Sequence, residues 1–386
     1  MAYFTVYLLV CWSVVGVLTW RLFPGAAAAV IALAAYTAVP LYVFFYRLRW
    51  TFYPGALFRV AVVRVLLYTQ LTLPFVALAG ALGMLLAWPF DASLVFGRAL
   101  ALIVLVGACM LLLAGYFGSR SLVVRDVEAR ISNLPAEFDG LRIVQLSDLH
   151  VGPQSSRSFL ERVVRTVETL KPDLIAVTGD LIDDRPEDVT VYAHHLGRLA
   201  APLGVFMIAG NHDVYAGWTD VARELHRLVP GRVLVNESFI IKRGAAELAI
   251  VGTGDPAGMQ RGAGAQVGPD LPRAFSGVPA GMVTVVLAHN PGLWPAIKKL
   301  RAELTLSGHT HWGQFAFPKR NWSLASRFLK HAMGAYHEDG SLLYISPGTG
   351  YWGIPFRIGA LPEITAVTLR RSPIAGITMG EARGAL

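Results

Sequence analysis

The sequence predicts a helical membrane region followed by an α/β domain in which two packed β-sheets are flanked by helices. Three observations carry this expectation. Four apolar stretches in the N-terminal third each approach the roughly 20 residues that cross a hydrocarbon core. Beyond residue 140, short apolar runs alternate with segments of amphipathic helical spacing. Five clusters of Asp, Asn and His each terminate one of those runs.

The apolar stretches are Tyr3–Trp20, Gly25–Tyr46, Leu66–Trp88 and Gly97–Phe117, and Arg98 is the one charged residue in them. Tyr42, Phe44, Phe45, Tyr46, Trp50 and Trp88 crowd their ends, as interfacial aromatics do. Pro40 and Pro74 fall within spans, where neighbouring helices can repair the lost backbone bonds. The first stretch lacks a basic leader and three more follow it, which does not fit a cleaved signal peptide. Arg47, Arg49, Arg59 and Arg64 lie in the second connection, and Arg120, Arg125 and Arg130 follow the fourth span. The first connection holds Arg21 alone, and the third holds Asp91 and Arg98. The positive-inside rule then predicts a multi-pass protein whose N-terminus and whole region after residue 118 are cytoplasmic. No acid or base sits mid-span, so the region reads as an anchor in a lipid bilayer and not as a transport path.

The composition agrees. The chain has 386 residues, 54% of them hydrophobic, and a formal net charge of +8. Residues 1–120 contain seven arginines and one acid, which leaves 27 basic and 25 acidic residues elsewhere. The positive excess therefore belongs to the apolar region, and a nucleic-acid polymer is not an expected partner. Cys11 and Cys109 both lie in apolar runs, which excludes a disulfide framework and a thiolate metal site. Nothing in the sequence speaks to oligomeric state.

Four regions follow: 1–120, a four-helix transmembrane region; 121–140, a linker with a strand at Ser121–Asp126; 141–371, the α/β domain; and 372–386, a disordered tail. Within the domain, strands are expected at Arg142–Ser147, Asp173–Thr178, Val205–Ala209, Leu248–Gly252, Val283–Ala288 and Leu304–Ser307. Helices are expected at Ser156–Leu170, Glu187–Leu199, Trp218–Leu228 and Gly292–Leu300. Gln314–Phe317, Leu342–Ser346 and Ile364–Leu369 read as strands without intervening helices.

The polar clusters are Asp148-Leu149-His150, Gly179-Asp180, Gly210-Asn211-His212-Asp213, Ala288-His289-Asn290 and Gly308-His309-Thr310-His311. Ligands of open α/β sheets sit beyond the carboxyl ends of strands, so the clusters converge. Carboxylate, imidazole and amide oxygen without thiolate suit Mn²⁺, Fe or Zn²⁺. Two such ions side by side activate water and clamp an in-line displacement at phosphorus. Glycines before Asp180, Asn211 and His309 allow tight turns.

In order and spacing these clusters resemble the calcineurin-like metallophosphoesterases, a resemblance that covers about residues 141–370. It implies a calcineurin-like two-sheet sandwich and two divalent ions. Asp148, His150, Asp180 and His311 would hold one ion; Asp180, Asn211, His289 and His309 would hold the other, with Asp180 bridging. A hydroxide between the ions would attack a phosphodiester or pyrophosphate. His212 would protonate the leaving group or stabilise the phosphoryl oxygens, with Asp213 orienting it. His212 follows Asn211 directly, so it should point beside the ions.

The stretch Ser346–Arg357, with Pro362-Glu363-Ile364, is similar to a branch of membrane-associated bacterial phosphodiesterases that includes YkuE- and YaeI-like proteins and some UDP-2,3-diacylglucosamine hydrolases. This implies a bacterial inner-membrane enzyme acting on a lipid-linked substrate such as a UDP-diacylglucosamine. The alternatives are a soluble nucleotide substrate and a non-enzymatic membrane receptor or scaffold. Trp312 stands where many relatives have Gly, and there it can narrow the pocket or stack on a ring. Tyr351 and Arg357 either bind phosphate or a ring, or fasten the C-terminal strands. Asp255 is either a turn residue or faces substrate. The glycine-rich stretch Gly252–Gly268 lacks the Lys-Ser/Thr of a phosphate loop and reads as a flexible loop over the site. Pro318–Gly334 mixes bases with aromatics, either as an interfacial segment or as a surface excursion. His194, His195, His226, His331 and His337 read as surface or core residues.

Overall fold

The computed structural model of the chain describes residues 2–42, 55–260 and 266–385. They fall into two units, Met1–Ala114 and Gly115–Leu386.

The apolar region is helical over Ala2–Leu22, Ala27–Tyr42, Arg59–Leu86 and Ser93–Gly118. Of these, Arg59–Leu86 and Ser93–Gly118 are long and apolar enough to cross a membrane, whereas Val6–Leu22 and Pro24–Val39 are shorter apolar helices. Phe44, Phe45, Tyr46, Arg47, Arg49 and Trp50 lie outside the described residues, so the second expected span is followed only to Tyr42. A Cβ on Gly83 would stand 2.7 Å from the Phe96 carbonyl oxygen. Glycine there lets the two long helices meet backbone to backbone, the contact that small residues give membrane helices. Thr69 and Thr72 return their hydroxyls to the Leu66 and Tyr68 carbonyls, each at 2.8 Å, so neither leaves a bare donor. Large apolar side chains such as Val17, Leu78, Leu85 and Ile103 point outward, an arrangement suited to lipid and costly in water.

The second unit begins with β1 (Val123–Ile131), β2 (Arg142–Leu146), β3 (Leu174–Val177), β4 (Val205–Met207) and β5 (Arg232–Val233). There follow β6 (Glu237–Arg243), β7 (Ala246–Gly252), β8 (Thr284–Leu287), β9 (Leu304–Ser307) and the short pair β10 (Ala316–Phe317) and β11 (Trp322–Ser323). The last are β12 (Gly334–Glu338), β13 (Ser341–Ile345), β14 (Glu363–Arg371) and β15 (Gly376–Gly384). One sheet has the order β15-β1-β14-β2-β3-β4-β5 and the other β12-β13-β9-β8-β7-β6. The core of each is parallel, with β2, β3, β4 and β5 paired in series and β7, β8, β9 and β13 likewise. Within each sheet these carboxyl ends therefore point one way.

Ile143, Leu174 and Phe206 of one sheet pack against Leu248, Ile250, Val285 and Leu304 of the other in a single buried cluster. Each such side chain contributes about 1.5–3 kcal/mol of burial free energy. The outer face of the first sheet is covered by the Arg157–Leu170, Glu187–Leu196 and Trp218–Leu228 helices through Leu160, Val164, Val189, Val221 and Leu225. Ala274 and Ile297 cover the second sheet from the short helices Leu271–Phe275 and Trp294–Lys299. The two-sheet sandwich flanked by helices is as expected.

Two expectations are corrected. The strand expected at Ser121–Asp126 of the 121–140 linker is β1, which runs on to Ile131 and pairs in parallel with β14 from Val123 to Ile131. Its apolar residues Val123, Val127, Ala129 and Ile131 alternate with Arg and Asp/Glu, so the run does not read as continuously apolar. The tail 372–386 is not disordered, because β15 closes the sheet edge antiparallel to β1. An edge strand with one solvated face tolerates its polar sequence, and Arg383 pairs with Asp126 at 3.1 Å. Residues 261–265 of the glycine-rich loop lie outside the described residues.

Candidate metal centre

Each cluster is delivered by the end of one parallel strand. β2 leads to Asp148 and His150, β3 to Asp180, β4 to the Asn211–Tyr215 helix, β8 to His289 and β9 to His309 and His311. The backbone at these residues is unusual. Asp148, His150, Asp180, His309 and His311 have φ of 50°, 45°, 50°, 70° and 49°. A non-glycine residue there costs roughly 1–2 kcal/mol, and such strain gathers at functional sites. Two glycines make room for the turns. A Cβ on Gly210 would collide with the Asp180 main-chain nitrogen and carboxylate, and one on Gly308 with Ser147 and the Asp148 carboxylate.

The side chains form two groups that share one carboxylate. In the first, His311 Nε2 lies 3.1 Å from His150 Nε2 and 3.3 Å from Asp148 Oδ1. In the second, Asn211 Oδ1 lies 2.8 Å from His309 Nδ1 and 3.2 Å from His289 Nε2. Asp180 Oδ2 stands between them, 3.7 Å from His150 Nε2 and 3.3 Å from His289 Nε2. Ligands bonded to one cation at about 2.0–2.2 Å must lie about this far apart. The ring of His289 is fixed by its other nitrogen, whose Nδ1–H donates to the Thr178 carbonyl at 2.8 Å. That leaves Nε2 as the nitrogen facing the centre, where its lone pair serves an ion once its proton is displaced.

The electrostatics also call for cations. Asp148, Asp180 and Asp213 are all nearly fully buried. Burial raises Asp148, and the Asp180 charge adds to that. Burial opposes the charge on Asp180, yet His289, His150 and His212 outweigh it and hold the carboxyl well below the usual range. Burial also works against a charged His289, but the Asp180 carboxylate holds its proton well above the ordinary imidazole range. Burial and His289 depress His309 to about 4. Burial and His150 depress His311. Protons thus compensate the carboxylates where ions would otherwise do so, and the donor set fits two hard or borderline divalent cations.

His212 lies beside the shared carboxylate, as expected. Its backbone N–H donates to Asp180 Oδ1 at 2.7 Å, and its ring packs 4.7 Å from that of His150. The expected role of Asp213 is corrected. Its Oδ2 accepts from Gly210 N at 2.9 Å and its Oδ1 from Ile182 N at 3.1 Å, so it ties two site loops together and leaves His212 alone. Burial and the nearby Asp180 push Asp213 up to about 6. The His212 ring is oriented instead by Asp183, whose main-chain carbonyl accepts from Nδ1 at 2.9 Å. Asp183 Oδ1 also lies 3.4 Å from His150 Nδ1. Asp183 was not singled out in the sequence, and its signal was position alone, three residues past the shared carboxylate.

The substrate candidates divide. Trp312 is corrected: it is fully buried, its indole N–H donates to the Ile345 carbonyl at 2.9 Å, and it packs with Ala316, Met333 and Ala360. It can neither narrow the pocket nor stack on a substrate ring. Arg357 is also buried and is a fastener. Its Nη1 donates to the Pro347 and Ala360 carbonyls at 2.7 and 2.8 Å, and its Nη2 to His311 Nδ1 at 2.9 Å. Asp255 caps the turn at Pro256–Met259 through Ala257 N, at 2.8 Å, and burial raises its carboxyl. Tyr351 is half-buried and lines a cleft with His150, Gly152 and Asp183. The exposed Trp352 next to it, 6.2 Å from the His212 ring, was missed because a lone aromatic in a glycine-rich loop carries no pattern.

A family profile described as calcineurin-like phosphoesterase matches residues 141–313, which include all seven converging side chains. A transmembrane protein with metallophosphoesterase domain from Danio rerio is 34% identical over 259 residues, covering 64% of this chain and 57% of that protein. A metallophosphoesterase of Helicobacter pylori is 32% identical over 266 residues, covering 67% of this chain and 68% of its own length. The metallophosphoesterase YkuE of Bacillus subtilis is 29% identical over 265 residues, covering 67% and 88%. The chain spans little more than half the length of the Danio rerio protein.

Proposed function

The chain belongs to the metallophosphoesterase family, and on that premise we propose that its second unit is a metal-dependent hydrolase of phosphodiester or pyrophosphate bonds. Asp148, His150, Asp180 and His311 would hold one divalent ion, and Asp180, Asn211, His289 and His309 the other, as Mn, Fe or Zn. The observation that carries this reading is the single oxygen, Asp180 Oδ2, that faces Nε2 of both His150 and His289. When bound, two such ions turn water into a nucleophile at neutral pH and offset the charge of the phosphoryl oxygens.

The chain's own residues do the rest. With Nδ1 bonded to the Asp183 carbonyl, His212 keeps Nε2 for the substrate. As the water oxygen bonds to phosphorus and the bond to the leaving oxygen breaks, His212 supplies that oxygen with a proton. Asp213 and Arg357 act at one remove, by holding the loops and His311. Tyr351 lies where a substituent of the phosphate would pass.

We also assign the enzyme to the cytoplasmic face of a bacterial inner membrane, with the four N-terminal helices as a multi-pass anchor. The two long apolar helices and the arginine distribution support this. A lipid-linked substrate suits such an anchor, and the UDP-diacylglucosamine type is the one that the resemblance implies. A soluble nucleotide is the second reading, favoured by the exposed Trp352 ring beside His212. The full chain assayed with Mn²⁺ on the glycolipid, on cyclic nucleotides and on nucleotide diphosphates separates the two. Preferential turnover of the lipid supports the first, and turnover of nucleotides alone overturns it. No turnover of these or of a generic aryl phosphodiester contradicts the hydrolase and favours a receptor or scaffold.

A further inference from the structure

Immediately after His311 the second unit turns outward. β10 and β11 form a two-stranded hairpin, followed by a short strap to Lys330. Phe317, Trp322, Leu324, Phe328 and Leu329 are all exposed there, Phe328 by 80%. The rings of Phe315, Phe317 and Trp322 pack edgewise or tilted at 5.4–6.2 Å, so the apolar ridge is built and does not hang loose. Leu324 N bonds to the Phe315 carbonyl at 2.8 Å, and Ser323 and Ser326 exchange bonds of 2.8 and 2.6 Å. Lys319, Arg320, Arg327 and Lys330 accompany the ridge, and no acidic residue occurs between Glu303 and Glu338. Lys330 lies 3.8 Å from Glu338.

We propose that this hairpin and strap form a docking surface for an anionic phospholipid bilayer. Charge and side-chain type favour that occupant. Aromatic residues and lysine or arginine together suit the headgroup boundary, where rings enter the acyl edge and cations meet phosphate. A protein interface core, by contrast, is depleted in lysine. The same chain also carries two helices long and apolar enough to cross a membrane. The surface is tied to the metal centre, because Gln314 exchanges bonds of 3.0 and 3.1 Å with the main chain of Trp352, which stands beside His212. A docked ridge would hold the site against the lipid surface. The docking itself does not depend on the hydrolase reading.

The test uses the full chain in nanodiscs, with Cys11 and Cys109 replaced by Ala and a nitroxide placed at Phe328→Cys. A second label at Val191→Cys, also exposed, serves as the aqueous control. In bilayers containing phosphatidylglycerol, the label at 328 should be more accessible to oxygen than to a water-soluble nickel chelate, and pure phosphatidylcholine should weaken that preference. The label at 191 should remain accessible to the chelate in both. Lys319→Glu with Arg327→Glu should abolish the preference at 328 while turnover of a soluble aryl phosphodiester persists. A chelate-accessible label at 328 in both lipids overturns the proposal, as does spin coupling between two copies at that position. Absence of turnover in the labelled chain with Lys319 and Arg327 intact, with the label at 328 protected, would count against the hydrolase reading and leave the docking intact, whereas a label still protected after the double charge reversal overturns the docking to anionic lipid.

Discussion

His212 Nδ1 bonds to the main-chain carbonyl of Asp183 at 2.9 Å, while its sequence neighbour Asp213 turns away to bind the Gly210, Leu181 and Ile182 amides. Adjacent residues thus serve different parts of the site. His212→Gln should lower kcat by about 10²–10⁴-fold, the usual contribution of a positioned proton donor, with metal content and Tm unchanged. Asp213→Asn should instead lower stability by about 1.5–3 kcal/mol, the range for a hydrogen bond to a charged group. Steady-state kinetics with thermal melts on both variants would check this. A Tm loss in the first, or a kcat loss without a Tm change in the second, would reverse the assignment.

Arg357 is buried and spends its donors on two carbonyls and His311. Arg357→Met removes the cation and leaves those acceptors bare, at about 1–3 kcal/mol for each unsatisfied group. Because Arg357 holds the His311 ring in place, its loss should also lower metal affinity. Arg357→Lys should recover part of the stability. Competition with a fluorescent chelator reads the affinity, and a variant changed only in substrate KM would mean that Arg357 touches substrate after all.

The two tryptophans should behave oppositely. Trp312→Phe loses the indole bond to Ile345 within the core, at a cost of about 1 kcal/mol, and should leave kcat/KM unchanged. Trp352→Ala removes an exposed ring near His212. It should leave Tm unchanged and raise KM for aryl or nucleotide substrates by about tenfold, the value of one stacking contact. Equal kinetic effects from the two would contradict this division.

Metal binding should release protons. In the metal-free site the Asp180 carboxylate, overcoming burial, holds His289 protonated well above the ordinary imidazole range, and an ion at Nε2 must displace that proton. Because the proton and the ion compete, affinity rises with pH. Calorimetric titration of stripped protein at pH 7, in buffers of different ionisation enthalpy, should give buffer-dependent heats. Identical heats would show that the site is already deprotonated.

The sequence revealed residues that recur in pattern. Strands β2, β3, β8 and β9 are short, mostly apolar, buried and followed by a turn, so buried parallel pairing was legible and with it the convergence of seven polar side chains. β1 was legible only over its first residues, because charges alternate along the rest, and β15 was not legible, being a polar edge strand whose partner lies some 250 residues away. Asp183 and Trp352 act through position after a turn, which no local periodicity encodes. Trp312 misled for a related reason: it follows His311 directly, yet its indole is buried in the core while His311 faces the site, and no local pattern separates the two.

The shared carboxylate is the centre of the account, and metal stoichiometry tests it most directly. After reconstitution with Mn²⁺ and desalting, plasma mass spectrometry should find two ions per wild-type chain. Asp180→Ala should retain less than one, because Asp180 Oδ2 faces both ligand groups. A wild-type protein with one ion or none, or an Asp180→Ala variant that keeps both, would contradict a two-metal centre built on Asp180.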